Sequence, residues 1–128
     1  VLDRLWIGSM EDFRAPLSSM GFVGVLDLRD GSHAPADVTT HRLANRDGDP
    51  WTKEQVNDAL DFVHESLKRG KVLVACAAGM SRSACMVTGY LIRSGWGVAE
   101  AYEAVRRARP RVHPVKRMMD SVVGAVTE

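Results

Sequence analysis

The hydrophobic positions of this chain change period several times between its two ends. Leu5-Trp6-Ile7, Val23 to Leu28, Thr40 to Leu43 and Lys71 to Ala75 are short apolar-rich runs. Runs of that length between glycine and polar stretches predict strands, and Lys71 to Ala75 predicts one buried on both faces of a sheet. Elsewhere the spacing is helical. Val56, Ala59, Leu60, Val63 and Leu67 recur at i, i+3, i+4, i+7 and i+11, one stripe of a helix over Thr52 to Arg69. Thr52 and Gln55 fit a capping box at its start, and Gly70 supplies its stop. Helices are also predicted from Arg82 to Ser94, ended by Gly95, and from Val115 to Val126. Another runs from Val98 to Ala108, with Val98, Ala101, Tyr102 and Val105 on one face. Met10 to Met20 reads as a helix capped by Ser9 and broken at Pro16, and Arg29 to Thr39 as a loop. Strands followed by crossover helices imply an α/β fold with a central, mostly parallel sheet flanked by helices. Ligands of such folds bind beyond the carboxyl ends of the strands.

Composition narrows the class without naming a chemistry. The 128 residues make one domain, 1–128, large enough to bury its own core. A net charge of +1 gives no field that would draw in nucleic acid or an anionic membrane, so neither is expected as a partner. No apolar stretch approaches the roughly 20 residues of a membrane span, and no charged-then-apolar leader opens the chain. Two cysteines, Cys76 and Cys85, make no disulfide framework, which points to a reducing, cytoplasmic compartment. The chain begins at Val1 rather than Met, as either a trimmed chain or a piece of something longer would.

The candidate chemistry lies where the buried strand meets the next helix. Cys76-Ala77-Ala78-Gly79-Met80-Ser81-Arg82 puts a cysteine and an arginine on either side of a small, glycine-containing loop. Backbone N–H groups of a tight loop at a helix N-terminus converge on one point and favour negative charge there. Arg82 adds a planar two-pronged donor suited to two phosphate oxygens. Cys76 lies in the same positive field, which favours the thiolate and makes it a nucleophile. The blander reading, a buried small cysteine and an ordinary first-turn arginine, fits the strand–loop–helix context poorly.

Phosphoryl transfer also needs a proton for the leaving oxygen. Asp47, in Asn45-Arg46-Asp47-Gly48-Asp49-Pro50, is the first candidate, and Asp49 is its rival in the same loop. Both are also common turn-formers. Ser83 can donate a hydrogen bond to the Cys76 sulfur and ease expulsion of the thiolate, and Ser81 can brace the loop. Arg106, Arg107, Arg109, Arg111, Lys116 and Arg117 form a basic run that reads first as a solvated helix face and second as a docking site for an acidic or phosphorylated partner. His33, His41, His64 and His113 lack metal-ligand spacing, so no metal is expected. Trp6, Trp51 and Trp96 read as packing anchors, with Trp51, beside the acid loop, the one placed to touch substrate.

Ala75-Cys76-Ala77-Ala78-Gly79-Met80-Ser81-Arg82-Ser83 resembles the signature of the cysteine-dependent dual-specificity protein phosphatases, H-C-x-x-G-x-x-R followed by Ser or Thr. The resemblance extends to Leu5-Trp6-Ile7-Gly8-Ser9, Gly24-Val25-Leu26-Asp27-Leu28, Tyr90-Leu91-Ile92 and Ala101 to Arg109, and to an acid loop 29 residues upstream of the cysteine at Asp47. It implies a protein tyrosine phosphatase-like fold and a phosphoprotein substrate. It also implies a two-step reaction through a phosphocysteine on Cys76, without a cofactor. Asp47 would act as acid and then base. Arg82 and the amides of Ala77, Ala78, Gly79, Met80 and Ser81 would hold the phosphate oxygens.

One departure stands out: the signature histidine is Ala75 here. In the family that histidine helps to organise the loop and keep the thiolate ionised, so the expectation is a weakened but active enzyme. The uncharged Ala77, Ala78 and Met80 argue against an inositide substrate. A short chain suggests a shallow pocket open to phosphoserine and phosphothreonine as well as phosphotyrosine. Two other functions use the same loop. One is a pseudophosphatase that only binds phosphoprotein, Ala75 marking lost catalysis. The other is a thiol-redox or arsenate-reducing enzyme, for which Cys85 is the single available resolving cysteine.

Overall fold

Four strands, β1 (Leu5–Gly8), β2 (Phe22–Asp27), β3 (Thr39–Arg42) and β4 (Lys71–Ala75), form one sheet in the order β1-β4-β2-β3, with every pairing parallel. The computed structural model describes residues 2–9, 16–29, 37–44, 49–76, 81–112 and 114–127. The order makes β4 an inner strand, with β1 on one side and β2 on the other, so the residue after it emerges between two neighbouring strand ends. The strand's two-residue period then divides its side chains. Val72, Val74 and Cys76 belong to the main core with Leu5, Ile7, Leu26 and Leu28, whereas Leu73 and Ala75 pack with Leu17, Phe22 and Val25 in a second cluster.

The helices α1 (Lys53–Leu67), α2 (Ser81–Arg93), α3 (Val98–Ala108) and α4 (Lys116–Thr127) supply the rest of the main core. The expected capping box starts α1: the Gln55 N–H donates to Thr52 Oγ1 at 3.1 Å, and the Thr52 N–H donates to Gln55 Oε1 at 2.9 Å. Its stripe of Val56, Ala59, Leu60 and Val63 is buried as the periodicity predicts. Gly95 ends α2 at φ +108°, where the Trp96 and Gly95 N–H groups reach the Leu91 and Ile92 carbonyls, each at 3.0 Å. The residues Ser81 to Leu91 are all buried, because α2 packs against the sheet and the other helices.

Gly89 marks the closest approach of α2 to α4. A Cβ built there would collide with Cγ1 of Val122, a stiff and fully buried side chain. Gly89→Ala therefore loses stability despite alanine's roughly 1 kcal/mol advantage in a helix, since overpacking costs about 1–3 kcal/mol. A urea midpoint at or above that of wild type would refute this.

Several expectations need correction. Within Met10 to Met20, the described part is a 3-10 turn, Leu17–Met20, following Pro16; residues 10–15 lie outside the described residues. Val98 is 48% exposed rather than part of the α3 packing face, which is carried by Ala101 and Val105. Trp6 is 44% exposed, edge-on to Phe22 with the Lys71 ammonium 5.0 Å from its ring centre, and so is no core anchor. Trp51, by contrast, is the packing anchor the sequence suggested: it is buried in the main core, and its backbone N–H donates to Ser121 Oγ at 3.3 Å. Among the described residues no helix is long and apolar enough to cross a membrane.

Candidate active site

The peptide linking Ala75 and Cys76 is held from both sides by the sheet. Its carbonyl accepts the Leu28 N–H at 2.8 Å, and its N–H donates to the Gly8 carbonyl at 3.3 Å. Cys76 is thereby fixed at the carboxyl end of an inner strand, only 1% exposed. Its Sγ lies 2.9 Å from Oγ of Ser83, which the first turn of α2 brings back over the strand end. Arg82, one residue earlier on the same turn, is 4% exposed, and its Nη1 donates to the Leu28 carbonyl at 2.9 Å. Leu28 thus touches both signature residues through its backbone, its N–H serving the cysteine peptide and its carbonyl the arginine. Ser81, expected to brace the loop, accepts the Val115 N–H at 3.1 Å and ties the start of α4 to the start of α2.

Of the residues singled out from sequence, Cys76, Ser81, Arg82 and Ser83 are therefore brought together around one strand end. Ala77, Ala78, Gly79, Met80 and Asp47 lie outside the described residues. Asp49 is exposed, just ahead of Trp51 and α1. Ala75 is fully buried in the apolar cluster of Leu17, Phe22, Val25 and Leu73. Its methyl group is packing, so the start of the loop is held by the strand ladder rather than by a side chain at this position.

Sequence reasoning missed a charged cluster beside this site. Asp27, the last residue of β2, is 3% exposed and stands level with Ala75 in the ladder. Its Oδ1 accepts the Arg29 backbone N–H at 3.1 Å and Nε at 2.9 Å, and its Oδ2 accepts Arg29 Nη2 at 2.9 Å. Arg42 Nη1 lies 3.5 Å from the same carboxylate, while Arg42 Nη2 donates to the Arg29 carbonyl at 3.0 Å. Burial pushes the Asp27 carboxyl up, but the hydrogen bonds from Arg29 and the charges of Arg29 and Arg42 outweigh it and hold the group below the usual value. A signal existed: an aspartate inside an apolar strand, two residues from an arginine, must be paired to be buried.

The remaining candidates separate from the site. Within the basic run, Arg106 and Arg107 pair with Glu103, and Lys116 with Asp120, inside their own helices, which supports the solvated-face reading for these three. His41 stacks on Phe62 and His64 meets the Tyr90 hydroxyl at 3.3 Å, while His33 and His113 lie outside the described residues. No group of three potential metal ligands occurs among the described residues. Cys85 is a buried residue of the main core and is not in a disulfide.

The model of the dual specificity phosphatase catalytic domain matches residues 6–125. The chain belongs to the dual-specificity phosphatase family. Among curated members, it is 36% identical over 121 residues to human dual specificity protein phosphatase 15, covering 89% of this chain and 41% of that protein. It is 31% identical over 120 residues to zebrafish dual specificity protein phosphatase 22-A, covering 89% of this chain and 58% of that one. The dual-specificity phosphatase domain here thus spans between about two-fifths and three-fifths of these relatives' length. Human DUSP28 shares the fold, with a TM-score of 0.86 at 24% identity over 97% of this chain and 92% of that one. The signature segment of this chain begins with Ala75 where the family pattern has histidine.

Proposed function

We propose that this domain is a protein phosphatase that hydrolyses phosphotyrosine, phosphoserine/phosphothreonine or both through a phosphocysteine on Cys76. The observation that carries this is the Cys76–Ser83 contact of 2.9 Å beside an Arg82 anchored on the Leu28 carbonyl, at an inner strand's carboxyl end. With Nη1 held on the Leu28 carbonyl, the Nε–H and Nη2–H edge of the guanidinium would be the parallel pair offered to a phosphate. The amides of residues 77–82 would complete the cradle, stabilising charge on the equatorial oxygens in both steps.

In the first step the Cys76 thiolate attacks phosphorus while Asp47 gives its proton to the leaving oxygen. In the second, Asp47 takes a proton from water, which attacks phosphorus and expels the thiolate. Ser83 supports that expulsion by donating its hydroxyl hydrogen to the departing sulfur. The two cysteines of the chain, both buried and neither in a disulfide, fit a reducing, cytoplasmic setting. Phosphorylated proteins are the proposed partners.

Aryl phosphate hydrolysis tests this reading. Asp47→Asn should lower kcat by about 10²–10³-fold, within the range of a lost general acid. The deficit should be larger for phenyl phosphate than for an aryl phosphate with a better leaving group. Full activity in Asp47→Asn together with loss in Asp49→Asn would move the acid to Asp49. Ser83→Ala should leave the first turnover fast and slow the rest, giving a burst of phenol; a uniform slowing without a burst contradicts its role. A wild-type protein that binds oxyanion but shows no turnover would hand the site to a phosphoprotein-binding module.

A further inference from the structure

The Leu28 carbonyl and the Arg29 N–H are the two ends of one peptide unit, and that unit lies between Arg82 and Asp27. Its oxygen accepts Arg82 Nη1–H at 2.9 Å; its N–H donates to Asp27 Oδ1 at 3.1 Å. Because the peptide is planar, its carbonyl and N–H turn together. A rotation that released Asp27 would swing the carbonyl away from Arg82.

We propose that Asp27 is a positioning residue for the phosphate-binding arginine, acting on Arg82 through the Leu28–Arg29 peptide plane. Three features support it. First, the row runs from a carboxylate through a peptide to a guanidinium, so each hydrogen bond polarises the next and the charge at one end strengthens the contact at the other. Second, the carboxylate is itself immobilised: Arg29 grips it with Nε and Nη2, and Arg42 Nη1 lies 3.5 Å away. Arg42 also holds the next carbonyl, that of Arg29, so two successive peptides beyond β2 are pinned. Third, Leu28 N–H is committed to the Ala75 carbonyl at 2.8 Å, so the same short segment sets the spacing between the cysteine peptide and the arginine. Asp27 does not touch the phosphate site; it fixes the acceptor that aims Arg82. The ladder and this segment thus hold the loop's two ends in a chain whose signature histidine is Ala75.

The inference rests on Arg82 binding phosphate, and the experiment separates the two claims. Tungstate binding is measured by calorimetry, and kcat and KM for an aryl phosphate by initial rates, on folded wild type, Asp27→Ala and Asp27→Asn. Each is then repeated in an Arg82→Lys background. Asp27→Ala should weaken tungstate binding by about tenfold, as expected for one misaligned charge-assisted pair. Asp27→Asn keeps an acceptor for the Arg29 N–H and should recover to within about threefold of wild type, while losing part of the charge assistance. In the Arg82→Lys background both Asp27 substitutions should have little further effect on kcat/KM, because the group they position is gone. A role confined to stability would lower the melting temperature and leave tungstate affinity of the folded protein unchanged; that result overturns the proposal. So do losses that are additive with Arg82→Lys. Should Asp27→Ala fail to fold, Asp27→Asn decides alone, a loss in tungstate affinity that vanishes with Arg82→Lys being required. Absence of tungstate binding by wild type would instead remove the phosphate site itself.

Discussion

Cys76→Ser should abolish turnover of an aryl phosphate, with kcat lower by on the order of 10⁵-fold, as for loss of a covalent nucleophile elsewhere. The change is nearly isosteric at a site only 1% exposed, so the fold has no reason to yield. The chemistry does have a reason. Cysteine sulfur is intrinsically a strong nucleophile, whereas a serine hydroxyl is a weak one unless a base activates it. Its neighbour at 2.9 Å is another hydroxyl, Ser83, which can share a hydrogen bond but cannot take the proton. Tungstate affinity should remain within severalfold of wild type, since the oxyanion donors are untouched. The pair of results matters more than either alone: lost turnover with retained oxyanion binding identifies a nucleophile. Residual kcat above about one-hundredth of wild type would show that another group attacks phosphorus.

Arg82→Lys should lower kcat/KM by about 10³-fold, although the charge is kept. Two separate losses add up. Lysine offers a point charge where guanidinium offers two parallel donors, so the equatorial oxygens lose a bidentate partner. The Leu28 carbonyl, which Nη1 reaches at 2.9 Å in the buried site, must also find a new donor or remain unsatisfied. Tungstate binding should fall with kcat/KM, because the same fork serves ground state and transition state. A variant with wild-type tungstate affinity would show that the loop amides alone hold the oxyanion.

Much of this site was legible before any fold was known, for local reasons. The run from Lys71 to Ala75 and the helix that begins at Ser81 are near neighbours in the chain, and their periods report directly on strand and helix. Ser83 falls back on Cys76 because a single helical turn returns the chain to the strand end, and that turn follows from the spacing. The α1 capping box was equally local. Val98 and Trp6 misled because periodicity says which residues share a face, but not whether another element covers that face. Residue 47 carries the acid assignment on spacing and resemblance alone, and it lies outside the described residues.

What escaped the sequence was contact between distant segments. Leu28 and Arg82 are 54 residues apart, and Ser81 and Val115 are 34 apart. These meetings depend on β2 pairing with β4 in one register and on α4 crossing α2 at Gly89. A shift of one residue in the β2–β4 ladder would turn Leu28 away from the site and put Asp27 on the other face. No local pattern encodes that register; it is chosen by how the two apolar clusters fill on opposite faces of the sheet. The placement of Cys76 after a buried strand and of Arg82 and Ser83 at the start of a helix was therefore written in the order of the residues. The anchoring of Arg82, the packing role of Ala75 and the place of Asp27 came from long-range strand pairing and core packing, whose energy is collective.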